Sequence, residues 1–351
     1  MYQFTKKIAL GAVALAAVAT LAGAAMAADI SGAGATFPYP IYAKWADAYK
    51  KETGIGMNYQ SIGSGGGIKQ IQAKTVTFGA SDMPMKAEDL DAGGLVQFPM
   101  IMGGAVPVAN IKGIAPGQLK LDGATLADIY MGKISKWNDA AIAKLNPGVT
   151  LPSTAIAAVY RSDGSGTNFV FTTYLSAVSA TFKEKIGANA SVEWPSGIGA
   201  KGNEGVAGMV TQTDGAIGYV EFAYAKQNKM TYIDLINKEG KVIEPKASAF
   251  AAAAAGADWA NAKGYALVLT NQPGAESWPI TSASFILVYR QPQNPGAVAD
   301  ALKFFSWAYK NGGKMADDLD YVPMPANVIS MVEKTWGEIK GADGKMVWAG
   351  K

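Results

Sequence analysis

Three short segments combine glycine with small hydroxyl residues: Gly34-Ala35-Thr36-Phe37-Pro38, Gly63-Ser64-Gly65-Gly66-Gly67 and Asp163-Gly164-Ser165-Gly166-Thr167-Asn168. Each stands where the apolar pattern changes from strand to helix. The first turn of a helix carries N–H groups without intrahelical partners and a partial positive charge, so it attracts anions. Glycine lets the backbone approach a ligand closely, and successive N–H groups form a concave nest. Ser and Thr add neutral O–H donors. One such turn alone reads as ordinary capping. Three in one chain, with Arg161 just before the third, point to an oxyanion site. Arg161 is a two-pronged donor suited to an oxyanion. Asp163, two residues on, can pair with it and fix its orientation; a surface ion pair is the alternative for these two.

Asp82 follows the apolar run Val76-Thr77-Phe78-Gly79-Ala80. Alone it reads as a cap or turn residue, and beside an anion it would repel. It becomes useful when the anion carries a proton. Monobasic and dibasic phosphate have P–O–H donors, which a carboxylate accepts strongly. Sulfate is fully deprotonated at neutral pH and would set lone pairs against those of Asp82. A site built around one specific hydrogen bond can reject the analogue lacking it by about 10⁴ to 10⁵.

Other chemistry is restricted by what the sequence lacks. It has no Cys and no His. That removes thiolate nucleophiles, zinc–sulfur sites, imidazole bases and the Ser–His–Asp arrangement. A metal would need oxygen ligands alone, and no cofactor is expected. Gly63 through Lys69 approaches a P-loop, but Ile68 stands where the glycine before the lysine is required. Phe37 breaks a G-x-G-x-x-G match, and no G-x-S-x-G elbow occurs. The 351 residues carry a net charge of +3 with no Lys/Arg-rich run, so nucleic acid is not an expected partner.

The elements that must hold these turns follow from the apolar spacing. Residues 1–27 read as a signal peptide: Lys6 and Lys7, an uncharged Ala/Gly/Val/Leu stretch, then Ala25-Met26-Ala27 before a cut at Ala28. Loss of this leader takes the net charge from +3 to +1. No lipid-anchor cysteine is present, so the mature chain is expected to be free in the periplasm. Strands are expected at 29–31, 57–60 and 76–80, with helices at 38–52 and 68–73. Ala251–Ala255 is expected in an exposed or weakly packed helix, and Phe304 through Tyr309 in a core-facing one. The apolar segments 98–110 and 278–289 suit two crossings between domains. The chain then divides into a discontinuous lobe I, 28–104 plus 280–351, and a lobe II, 105–279, with the ligand cleft between them.

The three turns, with Phe78-Gly79-Ala80-Ser81-Asp82, Arg161-Ser162-Asp163 and Gly215-Ala216-Ile217-Gly218-Tyr219-Val220-Glu221, resemble the periplasmic phosphate-binding proteins of ABC phosphate importers. The resemblance spans the whole mature chain. It implies an α/β, two-lobed type II periplasmic binding protein fold. It implies phosphate contacts at Thr36, Phe37 (through its N–H), Ser64, Asp82, Arg161, Ser165, Gly166 and Thr167. It also implies membrane permease subunits as partners, a monomer, and no catalysis. Three other readings stay open at this point: a different oxyanion such as sulfate or molybdate, an enzyme acting on phosphate esters, or a surface or adhesion protein that kept the fold.

Overall fold

The computed structural model describes residues 30–348 and Gly350; the leader and its cleavage point lie outside the described residues. Thirteen strands are found among the described residues. They are β1 (Ile30–Gly34), β2 (Met57–Ser61), β3 (Phe78–Ser81), β4 (Leu95–Ala109), β5 (Lys120–Asp122), β6 (Ala157–Arg161), β7 (Ile198–Ala200), β8 (Ala216–Glu221), β9 (Thr231–Tyr232), β10 (Asp234–Ile236), β11 (Val242–Ile243), β12 (Thr281–Tyr289) and β13 (Val322–Pro323). The main sheet runs β2-β1-β3-β12-β4-β8-β6-β7, with β9 and β13 also on β4; β11, β10 and β5 form a small second sheet. With its covering helices, this is a mixed α/β architecture.

β4 organises the molecule. All 15 of its residues are buried, as its almost unbroken apolar sequence requires of a strand covered on both faces. Residues Leu95–Gly104 pair with β12, and Ala105–Ala109 pair with β8. The change of partner coincides with a change of core. Phe98, Met100 and Ile101 pack with Phe285, Phe304, Phe305 and Trp336. Val106 and Val108 pack with Tyr130, Phe171, Tyr219 and Val220. At the change, Ala105 N–H donates to Ile280 O at 2.9 Å, and the buried Trp278 indole donates to Ala105 O at 2.9 Å.

The first helix, Tyr39–Thr53, starts one residue later than its spacing suggested and buries Ile41, Tyr42, Trp45 and Tyr49. Gly54 closes it at φ +77°, donating to Lys50 O, the left-handed stop that glycine permits. The second helix corrects the sequence expectation. It begins at Ser64 and ends at Gln72, so the glycine run is its first turn and not a preceding loop. Its fit against the sheet explains why helix-weakening glycine stands there. A Cβ on Gly67 would lie 2.5 Å from Gly34 Cα and 2.7 Å from both Ala33 O and Ala80 O. The alanine run is weakly packed as expected: Ala251 and Ala255 are exposed, Ala252 and Ala254 half-buried, and Ala253 alone of the five is buried. Helix Ala247–Ala254 buries Ala249, Phe250 and Ala253, and the Phe250 ring packs edge-on against Phe222 and Trp278. In the helix Pro295–Asn311, Phe304, Phe305 and Ala308 are buried, so that aromatic stretch faces the core as expected.

Gly67 and Gly208 should respond in opposite directions to alanine. Gly67→Ala drives a methyl into backbone on two strands and should lower stability by at least about 2 kcal/mol. Gly208, inside helix Gly202–Gln212, has nothing within 4 Å of an added Cβ. Gly208→Ala should raise stability by about 0.5–1 kcal/mol through helix propensity alone. Urea unfolding of the ligand-free variants measures both; equal midpoints would refute the close-approach account of the glycine run.

Candidate functional site

The β1, β2, β6 and β7 ends deliver four helix-starting turns to one place, and the end of β3 adds Asp82. Thr36 follows β1, Ser64 opens helix Ser64–Gln72, Gly166 opens helix Gly166–Val178, and Gly202 opens helix Gly202–Gln212. Side chains tie these turns together. Ser64 Oγ accepts from Asp82 N–H and from Gly166 N–H, each at 3.1 Å. Thr36 Oγ1 accepts from Asn203 N–H at 3.1 Å and from Asn203 Nδ2 at 2.6 Å. The same Nδ2 lies 3.3 Å from Thr167 Oγ1. Gly65 N–H donates to Gly164 O at 2.8 Å. Thr36, Ser64, Asp82, Arg161, Ser165 and Thr167 are all buried, and so are Phe37 and Gly166.

Each residue singled out in the sequence has a definite role in the geometry. A hydroxyl oxygen has two acceptor positions and one proton. The two N–H groups fill the acceptor positions of Ser64 Oγ, so its proton is free to donate. Ser165 Oγ accepts Asn168 N–H at 3.0 Å and caps its helix, the ordinary alternative for such a serine, while its own proton remains available. The Phe37 ring lies edge-on to Tyr321 in the core, so a ligand can meet only its main chain. Gly166 has no room for a side chain: a Cβ there would be 2.5 Å from Ser64 Oγ and 2.7 Å from Asp82 Oδ2.

Arg161 and Asp163 form a fork: Nε donates to Oδ1 at 2.8 Å and the Nη2 group to Oδ2 at 2.6 Å. The Arg161 side chain is only 1% exposed, which rules out the simple surface pair. Burial works against the Asp163 carboxylate, but the Arg161 guanidinium and the Gly202 N–H hold its carboxyl below the ordinary range. This leaves the Arg161 Nη1 group buried and without a hydrogen-bond partner. Asp82 has a matching feature. Ser284 Oγ donates to its Oδ1 at 2.7 Å, while Oδ2 is buried with no partner. Burial pushes the Asp82 carboxyl up to about 7, against the opposing pull of Ser284, Arg161 and Ser64. An unpaired buried polar group costs about 1–3 kcal/mol, more when charged. One donor and one acceptor left open beside helix N-termini and hydroxyl donors suit a small oxyanion that retains a proton.

Three contributors escaped the sequence reading. Asn203 stands at another glycine-led helix start, Gly202-Asn203, and that signal could have found it. Ser284 lies inside the apolar run of β12, where nothing distinguishes it. Tyr219 accepts Arg161 N–H at 3.1 Å and donates to Asn168 Oδ1 at 2.5 Å, joining the arginine strand to the adjacent helix.

Comparison with known proteins places this architecture. Residues 19–311 match the family model described as the PBP superfamily domain. The phosphate-binding protein PstS of Pasteurella multocida is 55% identical over 330 residues, covering 94% of this chain and 96% of that protein. The phosphate-binding protein PstS of Haemophilus influenzae is 54% identical, covering 89% and 93%. Among solved structures, a high-affinity periplasmic phosphate-binding protein bound with phosphate matches with a TM-score of 0.67 at 21% identity, covering 87% of this chain and 93% of that one. At that identity the match concerns the fold alone.

The raised Asp82 carboxyl predicts a pH dependence. Its folded value, about 7, lies above its ordinary 3.8, so between these values the folded state holds more protons than the unfolded state. Stability is then full below the ordinary value and falls as pH rises through the folded one. Ligand-free wild-type protein should lose on the order of a few kcal/mol across that window. Asp82→Asn should make that slope shallower, leaving the parts due to Glu221 and Asp234, whose carboxyls burial also raises. Parallel pH profiles of urea midpoints for the two proteins would show that Asp82 is not the buried acid described.

Proposed function

The chain belongs to the PBP superfamily and, within it, to the PstS-like phosphate-binding proteins, and on that premise we propose how its own residues take up phosphate. It binds inorganic phosphate for an ABC importer and is not an enzyme. The observation that carries the proposed site is the facing of unlike needs: Arg161 Nη1 lacks an acceptor and Asp82 Oδ2 lacks a donor. A protonated phosphate supplies both.

Thr36, Ser64, Ser165 and Thr167 donate through hydroxyls, Phe37 and Gly166 through main-chain N–H, and Arg161 through the guanidinium group that Asp163 holds in place. Asp82 accepts the P–O–H proton. Its raised basicity strengthens that hydrogen bond, because a carboxylate that binds a proton more readily is a better acceptor. Sulfate brings no proton to the same oxygen. This argues for phosphate over the other oxyanions left open by the sequence.

The lobes of the proposal are 28–104 with 280–351, and 105–279. Support comes from the partner change between Gly104 and Ala105 and from the two packed cores on either side of it. The Lys6–Lys7 leader supports export to the periplasm, with release of residues 1–27. Permease subunits of an ABC importer are the proposed partners of a monomeric protein.

Calorimetry on mature protein stripped of carried-over anion tests this. One phosphate should bind per chain. Ser64→Ala and Thr167→Val should each weaken binding roughly ten- to a hundredfold, the loss of one hydrogen bond to a charged ligand, and Arg161→Ala should weaken it more. Unchanged affinity removes that residue from the site. Sulfate should compete poorly near neutral pH and better as pH falls from about 8 to about 5, because a protonated Asp82 becomes a donor. Asp82→Asn should admit sulfate at every pH; equal rejection of sulfate by that variant would sink the proton-acceptor role.

A further inference from the structure

Asn203 touches more of this site than its place outside the three glycine turns suggests. It is fully buried in the first turn of helix Gly202–Gln212. Its Oδ1 accepts the Glu221 N–H at 2.9 Å. A main-chain N–H can only donate, so this bond fixes which way the amide faces and turns Nδ2 toward the hydroxyls of Thr36 and Thr167. Glu221 lies opposite Ala105 in the sheet, next to the point where β4 changes partner. The amide is therefore anchored near the junction of the two cores and reaches across to Thr36, which belongs to the other lobe.

The Thr36 hydroxyl then has no freedom of role. Its oxygen accepts from Asn203 N–H and from Nδ2, which fills both acceptor positions. Only its proton is left. We propose that Asn203 is a positioning residue for phosphate capture: on closure it occupies the lone pairs of Thr36 and commits that hydroxyl to donating to the anion. With the lobes apart, Thr36 can face a ligand with either its proton or its lone pairs. With them together, only a fully accepting oxygen is tolerated there. Asn203 thus couples closure to the choice of ligand. The inference rests on the phosphate reading of the site.

Stopped-flow binding and release of orthophosphate by wild type, Asn203→Ala, Asn203→Asp, Thr36→Val and the Asn203→Ala/Thr36→Val pair tests it. Asn203→Asp keeps an oxygen for Glu221 N–H and loses the amide donor, so it spares the anchoring contact. Both Asn203 variants should release phosphate roughly ten- to a hundredfold faster, with association within about threefold of wild type. In the Thr36→Val background the further effect of Asn203→Ala should shrink to about threefold or less, because the two residues act as one unit. A full Asn203→Ala effect in that background would show that it acts independently of Thr36 and overturn the proposal. So would wild-type release rates in Asn203→Asp, which also serves as the test where Asn203→Ala fails to fold. If wild type binds no orthophosphate, the functional reading itself falls and takes this one with it; normal wild-type binding with unaffected Asn203 variants sinks this inference alone.

Discussion

A buried guanidinium whose charge is already matched sets the terms for this site. Arg161 is held on two sides by Asp163. Burying an ion is costly unless it is paired and hydrogen-bonded, and the fork meets that need before any ligand arrives. The pair has no net charge, and Asp82 can only add negative charge. Attraction for an anion must therefore come from dipoles: the starts of four helices, their exposed N–H groups, and hydroxyls with one proton to give. The glycines follow from the same constraint, since the backbone has to come close enough for those dipoles to act.

Much of this was legible because anion-binding turns are short and local. The three glycine–hydroxyl segments, Arg161 with Asp163, and the oddity of Asp82 could all be picked out from residue types and spacing. Helix Tyr39–Thr53 was within one residue because proline and glycine mark its ends. The glycine run was misplaced for a physical reason. Propensity argues against helix there, but the approach of Gly67 to two strands decides the outcome, and that approach is a tertiary fact. Ser284 was hidden for a similar reason. Only the pairing of β12 with β3, Phe285 opposite Ser81, brings it to Asp82. Asn203 had a faint local signal, yet its importance comes from Thr36, 167 positions away in the chain.

The sheet explains how parts so distant in sequence meet. β4 passes from one core to the other without a break, and Ile280, at the entrance to β12, bonds to it at the point of passage. Two adjacent extended segments bend together more easily than they shear, because their mutual hydrogen bonds can be kept. In the two-lobe reading this makes them the hinge. The contacts across the cleft then include Thr36 with Asn203, Ser64 with Gly166, Gly65 with Gly164, Ser61 with Glu204 at 3.0 Å, the Tyr224 hydroxyl with Thr36 O at 2.6 Å, and the Tyr321 hydroxyl with Glu221 Oε2 at 2.7 Å.

A ligand can shift such an equilibrium only by its difference in affinity for the two states. Helix dipoles on one lobe offer any oxyanion a similar, modest attraction, so the open form is a poor discriminator. In the proposed site, closure brings Gly166 against Asp82 and Ser64 and sets the anion against a carboxylate that has no other donor for its Oδ2. An anion with a proton gains a hydrogen bond by that movement, while one without a proton meets repulsion. On that proposal, selectivity resides in the closing step more than in the first encounter, and the buried, proton-seeking Asp82 gives phosphate the differential affinity that closing requires.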